Sequence, residues 1–369
     1  MTTRRNFIKQ SGGLVIGASI LSIGGCDSIA VEPVGKGIDF PFLTPTENFF
    51  LQFGGDGALQ NWPGIQQIPR GNWRLAIDGL VGTPKSLSYS DLDADDSLIR
   101  TILASMRCIL DNNAVPGLIG TATWTGVPLY PFLEQAGMDL GSAKRLRFYG
   151  ADGFTNNIKI EKVWPNASSE LSEPLLVFGM NSSPLRPEHG GPVRLLVPGH
   201  YGYKSIKWVE RIEVTADETE FGTYQEVLGY EDDGSIDVTC KTTSHLRGAR
   251  IDSGRVQLAG FALSGLGGVS GLLVSIDGSE FEPARILSLA ELVAGDPLLG
   301  ETLQAKNPTL FSYPFAGVWS FWEFIWNAVP GEHSIRVKAS DSAGNEQPEI
   351  DTDPTDGLNP IVEFSVSVE

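Results

Sequence analysis

The cysteine at position 108, in the run SMRCILDNN, is one candidate for chemistry in this sequence. It is one of three cysteines in the chain and directly follows Arg107. A guanidinium beside a thiol lowers the pKa of that thiol, and soft metal ions prefer thiolate ligands. Three roles are open from these residues alone: a metal ligand, a buried apolar side chain, or half of a disulfide with Cys240.

A second candidate is the segment EHGGPVRLLVPGHYGYKSIKW, residues 188–208. Glycines inside it let the backbone approach a ligand closely. Cationic side chains, exposed amides and a hydroxyl together form a cradle that suits a phosphate. The segment therefore predicts an anion site, with solvated basic turns as the alternative interpretation. The side chains that would build the site are His189, Arg194, Lys204, Ser205 and Lys207.

Short strands and helices alternate in the region that must position these candidates. NWRLAIDGLV alternates like a strand, with Trp73, Leu75 and Ile77 on one face. VPLYPFLEQAGM has the pattern of a short amphipathic helix ending at Gly137. PVRLLVPG and KWVERIEVTA are typical of further strands. This interleaving predicts an α+β domain.

The last third of the chain has a different pattern. Beyond about residue 250 the helical signal fades, and strand alternation with Gly, Asp, Ser and Asn turns takes over. Ile335, Val337 and Ala339 share one predicted face. Several short strands in succession predict a β-sandwich of immunoglobulin type.

Length and charge limit the classes of partner. The chain has 369 residues and a net charge of -18, and its length favours two domains over one. Such an excess of acid argues against nucleic acid or anionic lipid as a partner, and it suits a small basic soluble protein. The sequence has no P-loop and no G-x-S-x-G, H-E-x-x-H or C-x-x-C motif.

The N-terminus is typical of an exported protein. TRRNFIKQ followed by the uncharged SGGLVIGASILSIGG predicts a twin-arginine export signal over residues 1–26. Cys26 ends the run SIGGC, and a cysteine after such small residues is typical of a bacterial lipoprotein processing site. Cys26 is therefore the predicted lipidation site. The alternative is ordinary signal cleavage further along the chain. Residues 27–45 are the predicted tether. We expect the body on the periplasmic side of the cell envelope, held to the inner membrane by lipid alone.

The order of these motifs resembles the sulfite oxidase superfamily of molybdopterin-dependent oxidoreductases. NFF, MRC, WTGVPL, GADG and MNSSPLRPEHGGPVRLLVPGHYGYKSIKWVERIEV follow one another as they do in that family. VSIDGSEFEPARI, WSFWEF and KASDSAGNEQP are similar to its dimerisation domain. The resemblance implies a mixed α+β molybdopterin-binding domain at 46–222, a connecting segment at 223–249 and an immunoglobulin-like dimerisation domain at 250–369.

The resemblance also implies roles for single residues. Cys108 would be the protein ligand of molybdenum, and one pyranopterin would supply the remaining sulfur ligands. Asn48, Phe49 and Phe50 would pass beside the pterin, and Asp152 would bond its ring system. The phosphate end would be held by the side chains of the basic segment, namely His189, Arg194, Lys204, Ser205 and Lys207.

The sequence departs from the sulfite-oxidising members of the family around the metal. Where those members carry arginines and a tyrosine, this chain has Gln52, Asp111, Asn112 and Phe154, and Phe315 lies near the position of another arginine. A neutral to acidic, aromatic pocket would repel sulfite.

The expected activity is therefore oxygen-atom transfer on a neutral substrate such as a sulfoxide or thioether. The alternatives are a sulfite dehydrogenase with a remodelled pocket, and a non-catalytic, lipid-anchored binding module that keeps the fold. Because no C-x-x-C-H haem motif is present, electrons would pass to a soluble carrier such as a c-type cytochrome. The resemblance also implies a homodimer.

Overall fold

The computed structural model describes residues 41–53, 62–111, 117–163, 173–245, 247–295, 299, 313–351, 357 and 359–369. The predicted export signal, Cys26 and most of the predicted tether lie outside these residues, as does Asn112. Within the described ranges, no helix has the length and apolar character needed to cross a membrane.

The strands of the first half form two sheets. In chain order they are β1 (Arg74–Gly79), β2 (Lys85–Ser88), β3 (Arg100–Arg107), β4 (Ile119–Pro128), β5 (Arg145–Gly150), β6 (Thr155–Lys159), β7 (Leu175–Met180), β8 (Ser183–Pro184), β9 (Arg194–Leu196) and β10 (Val209–Thr215). The first sheet has the order β2-β1-β10-β5-β6, and within it β1 and β10 are parallel. The second sheet has the order β3-β4-β7-β8, with β9 paired to β7.

The face predicted for the first strand is confirmed. Trp73, Leu75 and Ile77 are buried in the core that lies against the first sheet. The second sheet reaches this core through Leu176 of β7, while the neighbouring Leu175 packs into a different core. Because successive side chains point to opposite faces of a strand, both faces of β7 are apolar and both are covered.

Helices are present but short. They are α1 (Tyr89–Leu92), α2 (Tyr130–Gln135), α3 (Thr223–Leu228) and α4 (Leu289–Gly295), with 3₁₀ turns at Thr46–Asn48, Arg70–Asn72, Ile160–Lys162, Pro187–His189 and Gly202–Lys204. The described fold is therefore mainly β, and the α+β expectation overstated its helical share. Helices of this length are unstable alone in water, so packing stabilises them. In α2, Phe132 and Leu133 enter the first core, and Gly137, at φ +68°, follows the end of the helix.

The strands of the second half also form two sheets. They are β11 (Thr239–Thr242), β12 (Ala249–Ile251), β13 (Gly254–Leu263), β14 (Val269–Ile276), β15 (Glu282–Pro283), β16 (Arg285–Ile286), β17 (Ser320–Ala328), β18 (Gly331–Asp341) and β19 (Val362–Val368). Their orders are β11-β13-β17-β16 and β12-β19-β18-β14-β15. One core contains side chains of both sheets, and the predicted face of Ile335, Val337 and Ala339 is buried in it.

Strand β13 joins the two halves of the molecule. Its Val256 and Leu258 lie in the core between the two C-terminal sheets. Phe261 and Leu263 lie in another core, which also holds Ile109. Because alternate side chains of β13 face different cores, the C-terminal sheets pack directly on the segment that follows Cys108.

Candidate functional site

Most of the predicted site residues line one cleft. It has about 700 Å³ of space, including the part open to solvent. Asn48, Asp111 and Lys204 lie elsewhere. The predicted residues that line the cleft are Phe49, Phe50, Gln52, Cys108, Asp152, Phe154, His189, Arg194, Ser205 and Lys207.

Cys108 directly follows the last residue of β3. Its side chain is buried and lines the cleft, as does the side chain of Met106. Its backbone N–H donates to the carbonyl of Leu118 at 2.8 Å, and its own carbonyl accepts from the N–H of Asp111 at 3.0 Å. Strand alternation explains why Met106 and Cys108 share the cleft while Arg107 does not.

Arg107 and Asp111 bond each other instead of facing the cleft. The Arg107 Nε lies 3.4 Å from the Asp111 Oδ2, and an Arg107 terminal nitrogen donates to the Asp111 carbonyl at 2.7 Å. Lys241 brings a second cation to the same carboxylate at 3.3 Å. The expectations that Arg107 faces the thiol and that Asp111 makes the pocket acidic were therefore wrong, because Asp111 is fully buried and paired with two cations.

Cys240 has no part in the site. It lies in the core between the C-terminal sheets, with its Sγ 3.5 Å from the Val337 carbonyl oxygen. Burial raises the pKa of the Cys240 thiol to about 12. No disulfide joins it to Cys108, so that alternative was wrong.

Arg194 carries a buried positive charge into the cleft. Its terminal nitrogens donate to the carbonyls of His189 at 2.9 Å and Ser205 at 3.0 Å. Its Nε is buried without a hydrogen-bond partner, and no carboxylate of the described residues pairs with it. Burial lowers the pKa of the Arg194 guanidinium to about 9, so it remains a cation at neutral pH and can still accept an anion.

His189 is neutral in this arrangement. Burial and the nearby charges of Lys207 and Arg194 lower its pKa to about 4. Its Nε2 lies 3.1 Å from the carbonyl oxygen of Thr46, which can only accept, so the proton is on Nε2. The predicted cationic role of His189 is thereby reduced to a polar one at neutral pH.

Lys207 is the second cation in the cleft. Its Nζ donates to the carbonyls of Gln52 at 3.1 Å and Glu188 at 2.9 Å. The same ammonium lies 3.9 Å from the centroid of the Phe53 ring, a cation–π contact. Lys207 thus ties the segment around Gln52 to the basic segment, and Arg194, Lys207 and His189 together form what we call the cationic side of the cleft.

Lys204, by contrast, faces away from the cleft. Its Nζ donates to the Asn157 carbonyl at 3.0 Å and lies 3.9 Å from Asp232, which also pairs with Arg145 at 2.5 Å. Burial lowers the pKa of Lys204 to about 8. Its predicted phosphate role was wrong, because neighbouring residues of a tight turn point in different directions, and the predicted residues Ser205 and Lys207 line the cleft while Lys204 does not.

The residues predicted to lie beside a pterin form a flat, mainly apolar wall. Phe49 stacks on Phe50 with ring centroids 5.4 Å apart and meets His189 edge-on at 6.0 Å. Asp152 accepts from the Phe154 backbone N–H at 3.1 Å. Asn48 is exposed in its 3₁₀ turn and does not line the cleft.

An aromatic cluster forms the other side of the cleft. Phe154 meets Tyr224 edge-on with centroids 5.0 Å apart, and Tyr224 lies 6.0 Å from Tyr203. Ile109 packs in the same cluster. We call Ile109, Phe154, Tyr203 and Tyr224 the aromatic side; none of these side chains carries a charge at neutral pH. Phe315 is buried elsewhere in that core and does not line the cleft.

Several lining residues were missed by sequence reasoning. Tyr224 belongs to α3, in the segment predicted only to connect two domains, and nothing in its local pattern marks it. Trp62 donates from its Nε1 to Asp152 at 3.1 Å, across 90 positions of sequence. Such long-range contacts leave no periodic signal in the sequence. Tyr203 was also missed, although it lies inside the basic segment that the sequence had singled out. The other residues missed are Phe53, Met106, Ile109, Gly202 and Trp208.

Comparisons with known proteins agree on one family. Residues 62–223 match the oxidoreductase molybdopterin binding domain. Sulfite oxidase of Gallus gallus is 27% identical over 352 residues, covering 86% of this chain and 71% of the chicken protein. These likenesses support the sulfite oxidase superfamily of molybdopterin-dependent oxidoreductases as the family of this chain.

Two further matches show how much of the chain the likeness covers. An NADPH nitrate reductase of Phytophthora infestans is 32% identical over 172 residues, which are 41% of this chain and 19% of that protein. The crystal structure of the sulfane dehydrogenase SoxCD from Paracoccus pantotrophus has a TM-score of 0.65 at 23% identity, covering 83% of this chain and 80% of that one. The SoxCD likeness shows the shared fold. The matched domain and the relatives support a molybdopterin-dependent oxidoreductase, with molybdenum and molybdopterin as its cofactor.

The residues of the cleft fit such a cofactor. Molybdopterin ends in a phosphate, and Arg194 offers a buried cation whose Nε has no partner. Gly190, at φ +100°, has its Cα so close to Lys207 that a Cβ there would lie 3.0 Å from that side chain. A side chain at position 190 would therefore displace the lysine. The Phe49–Phe50 wall and the Asp152 carboxylate suit a flat ring system with N–H donors.

Proposed function

We propose that this chain catalyses oxygen-atom transfer at a molybdenum centre ligated by Cys108, on a neutral substrate such as a sulfoxide or thioether. The observation that carries the proposal is the composition of the cleft. Cys108 lies between Met106, whose sulfur is 3.5 Å from Arg194, and Ile109 of the aromatic side. One side thus offers charge for a cofactor and the other an uncharged surface for a substrate.

The cationic side would hold the cofactor. Arg194 and Lys207 would bind its phosphate, with the neutral His189 and the backbone near Ser205 as polar neighbours. Phe49 would pack on its rings. Molybdenum held by molybdopterin supplies two-electron oxygen-atom transfer. The buried Cys108 would fix the position of that metal and limit the access of water.

The aromatic side supports a neutral substrate. Phe154, Tyr203 and Tyr224 offer rings and hydroxyls but no charge. Arg107 and Lys241, the cations behind the Cys108 loop, are both bound to Asp111. Sulfite, a dianion, needs cationic partners when it enters a partly dry pocket, and the described residues of this side provide none. A thioether or sulfoxide needs mainly apolar contacts, which this surface offers, and the Tyr203 hydroxyl already donates to the Glu231 carbonyl at 2.8 Å.

A substrate comparison tests the proposal. The full chain is produced in a host that makes molybdopterin, and its molybdenum content is measured. Steady-state rates are then compared for dimethyl sulfoxide or methionine sulfoxide with a reduced dye, and for sulfite with an oxidised dye. We expect about one molybdenum per chain and a higher kcat/KM for the sulfoxide. Higher kcat/KM for sulfite would establish the alternative sulfite dehydrogenase. Molybdenum that cycles with neither class would establish the non-catalytic module.

The proposal also includes the export of the protein, its membrane anchor and its partners. Export by the twin-arginine signal, lipidation of Cys26 and a periplasmic location rest on the N-terminal sequence. The net charge of -18 supports a basic soluble electron carrier such as a c-type cytochrome. The two C-terminal sheets with a shared core support an immunoglobulin-like sandwich that mediates a homodimer. Cell fractionation of the wild type and of Cys26→Ala tests the lipid anchor. If Cys26 is lipidated, the variant should be released into the soluble fraction.

A further inference from the structure

Asp111 is the centre of the hydrogen bonds that close the loop after Cys108. Its backbone N–H donates to the Cys108 carbonyl at 3.0 Å, and its Oδ1 accepts from the Leu118 N–H at 3.1 Å. The Leu118 carbonyl in turn accepts from the Cys108 N–H at 2.8 Å. The position of Cys108 is thus coupled to the orientation of one buried carboxylate.

Two cations from different halves of the molecule hold that carboxylate. Arg107 comes from β3, the strand that leads into Cys108, and its Nε is 3.4 Å from Oδ2. Lys241 comes from β11 of the C-terminal sheets, and its Nζ is 3.3 Å from the same oxygen, an ion pair without hydrogen-bond geometry. The neighbouring Cys240 packs into the C-terminal core, so strand alternation turns Lys241 out of that core and toward the loop.

The Asp111 carboxylate needs both of its cations, Arg107 and Lys241, because it is buried away from water. A buried ion whose partner is removed is strongly destabilised, and it moves or draws in water to recover solvation. Without Lys241, Asp111 would keep Arg107 as its one remaining cation. The carboxylate would then be free to turn toward Arg107, away from the Leu118 N–H, and the closure of the loop would weaken.

A second connection runs from the same arginine to the C-terminal half. Arg107 donates to the Tyr201 hydroxyl at 3.2 Å, and that hydroxyl donates to the Gly357 carbonyl at 2.8 Å. The C-terminal half therefore reaches the Arg107–Asp111 pair in two ways, directly through Lys241 and from Gly357 through Tyr201.

We propose that Lys241 is a positioning residue for Cys108, so that the C-terminal sheets complete the redox site rather than only joining subunits. The proposal rests on the proposed function insofar as it takes Cys108 to be the metal ligand. The contact that carries it, Lys241 to Asp111 to the Cys108–Leu118 closure, is independent of any bound group.

The first test uses the full chain without cofactor. The rate at which iodoacetamide alkylates Cys108 is followed by mass spectrometry at constant pH in wild type and variant. We expect Lys241→Met to increase the Cys108 rate by about tenfold over wild type, because loss of the Asp111 contacts exposes the thiol. Lys241→Arg should return the rate to near the wild-type value.

The matched control is Lys338→Met. Lys338 lies on β18 of the same sheets and pairs with Glu346 at the surface, so its loss should leave the Cys108 rate unchanged. An equal Cys108 rate in wild type and Lys241→Met, with both proteins folded by circular dichroism, would overturn the proposal. If Lys241→Met does not fold, Lys241→Gln serves instead, because it removes the charge but keeps a donor at nearly the same length.

The second test uses the molybdenum-loaded enzyme. Lys241→Met should change the Mo(V) electron paramagnetic resonance signal and lower kcat by about tenfold with little change in KM, and Lys241→Arg should restore both. An unaltered signal and kcat would count against the positioning role. Wild-type protein that binds no molybdenum would defeat the proposed function instead, while the alkylation result would still decide whether Lys241 holds the loop.

Discussion

The two sides of the cleft are built from side chains of opposite kinds, although both line the cleft that contains Cys108. On the cationic side, Arg194 and Lys207 both line the cleft, and the Nε of Arg194 is buried without a partner. On the aromatic side, Phe154, Tyr203 and Tyr224 pack against one another without any charge. The difference supports the proposed division between holding an anionic cofactor and admitting a neutral substrate.

The largest expected effect comes from the residue between the two sides. Cys108→Ser should lower turnover by about three orders of magnitude or more, because a hydroxyl is a poor ligand for a soft metal. The cationic side would be untouched, so the variant should stay folded and keep its pterin. Turnover and released pterin fluorescence are the measurements. Normal turnover would show that Cys108 is not a ligand.

The next effect concerns cofactor affinity on the cationic side. Arg194→Met should reduce retention of molybdopterin by about 10- to 100-fold, because a buried charge-assisted hydrogen bond to the phosphate is lost. Pterin and molybdenum per chain are measured after dialysis. Lys204→Met is the control: its ammonium pairs with Asp232 outside the cleft, so it should lower thermal stability but not cofactor content. Equal loss of pterin and molybdenum in Arg194→Met and Lys204→Met would show that the two positions do not differ in holding the cofactor.

A smaller effect is expected on the aromatic side. Phe154→Arg would place a cation beside Tyr224 and should lower the KM for sulfite by about tenfold, as a close charge pair in a partly dry site does. The control Phe154→Leu removes the ring without adding charge and should leave the KM for sulfite high. If both variants behave alike, the charge of this side does not decide between sulfite and a neutral substrate.

The smallest effect is a difference in pH dependence between two histidines. Burial lowers the pKa of both His189 and His200 to about 4, from an ordinary 6.5. Below pH 6.5 the unfolded chain takes up protons that the folded chain refuses, so stability falls as the pH drops toward 4. Between pH 7 and pH 5.5, His200→Gln should lose about 1 kcal/mol less unfolding free energy than the wild type.

The two histidines should respond differently to the cofactor. A phosphate on the cationic side would favour protonated His189, so cofactor binding should reduce the acid sensitivity due to His189 and leave that of His200 unchanged. Free energies of unfolding at both pH values, with and without cofactor, provide the measurement. The same response from His189→Gln and His200→Gln would argue against an anion beside His189.

Several features could be predicted from local sequence because their physical signal is local. Alternation in β1 placed Trp73, Leu75 and Ile77 on a buried face, and the same logic held for Ile335, Val337 and Ala339. The basic segment correctly singled out His189, Arg194, Ser205 and Lys207, because glycine-flanked turns bring backbone and cations together. The helical share was overstated, since an amphipathic pattern of one or two turns does not reveal how short its helix is.

The errors concern side-chain direction across long distances. Asp111 was expected to acidify the pocket, but its carboxylate is bound by Arg107 and by Lys241, which lies 130 positions away. Lys204 was expected beside Arg194, but Asp232 draws it to the opposite side of its turn. No local pattern reports such partners, because they meet only when the sheets pack.

The sequence by itself determined the residue types available to the cleft: one cysteine after a strand, a run of cations between glycines, and a phenylalanine where a tyrosine would be expected. The order of its motifs also determined the family. The tertiary structure alone decided which of these side chains face the cleft and which neutralise one another. The reason is physical: a buried charge must find its counter-charge wherever the fold supplies it, and for Asp111 and Lys204 that place was outside the site.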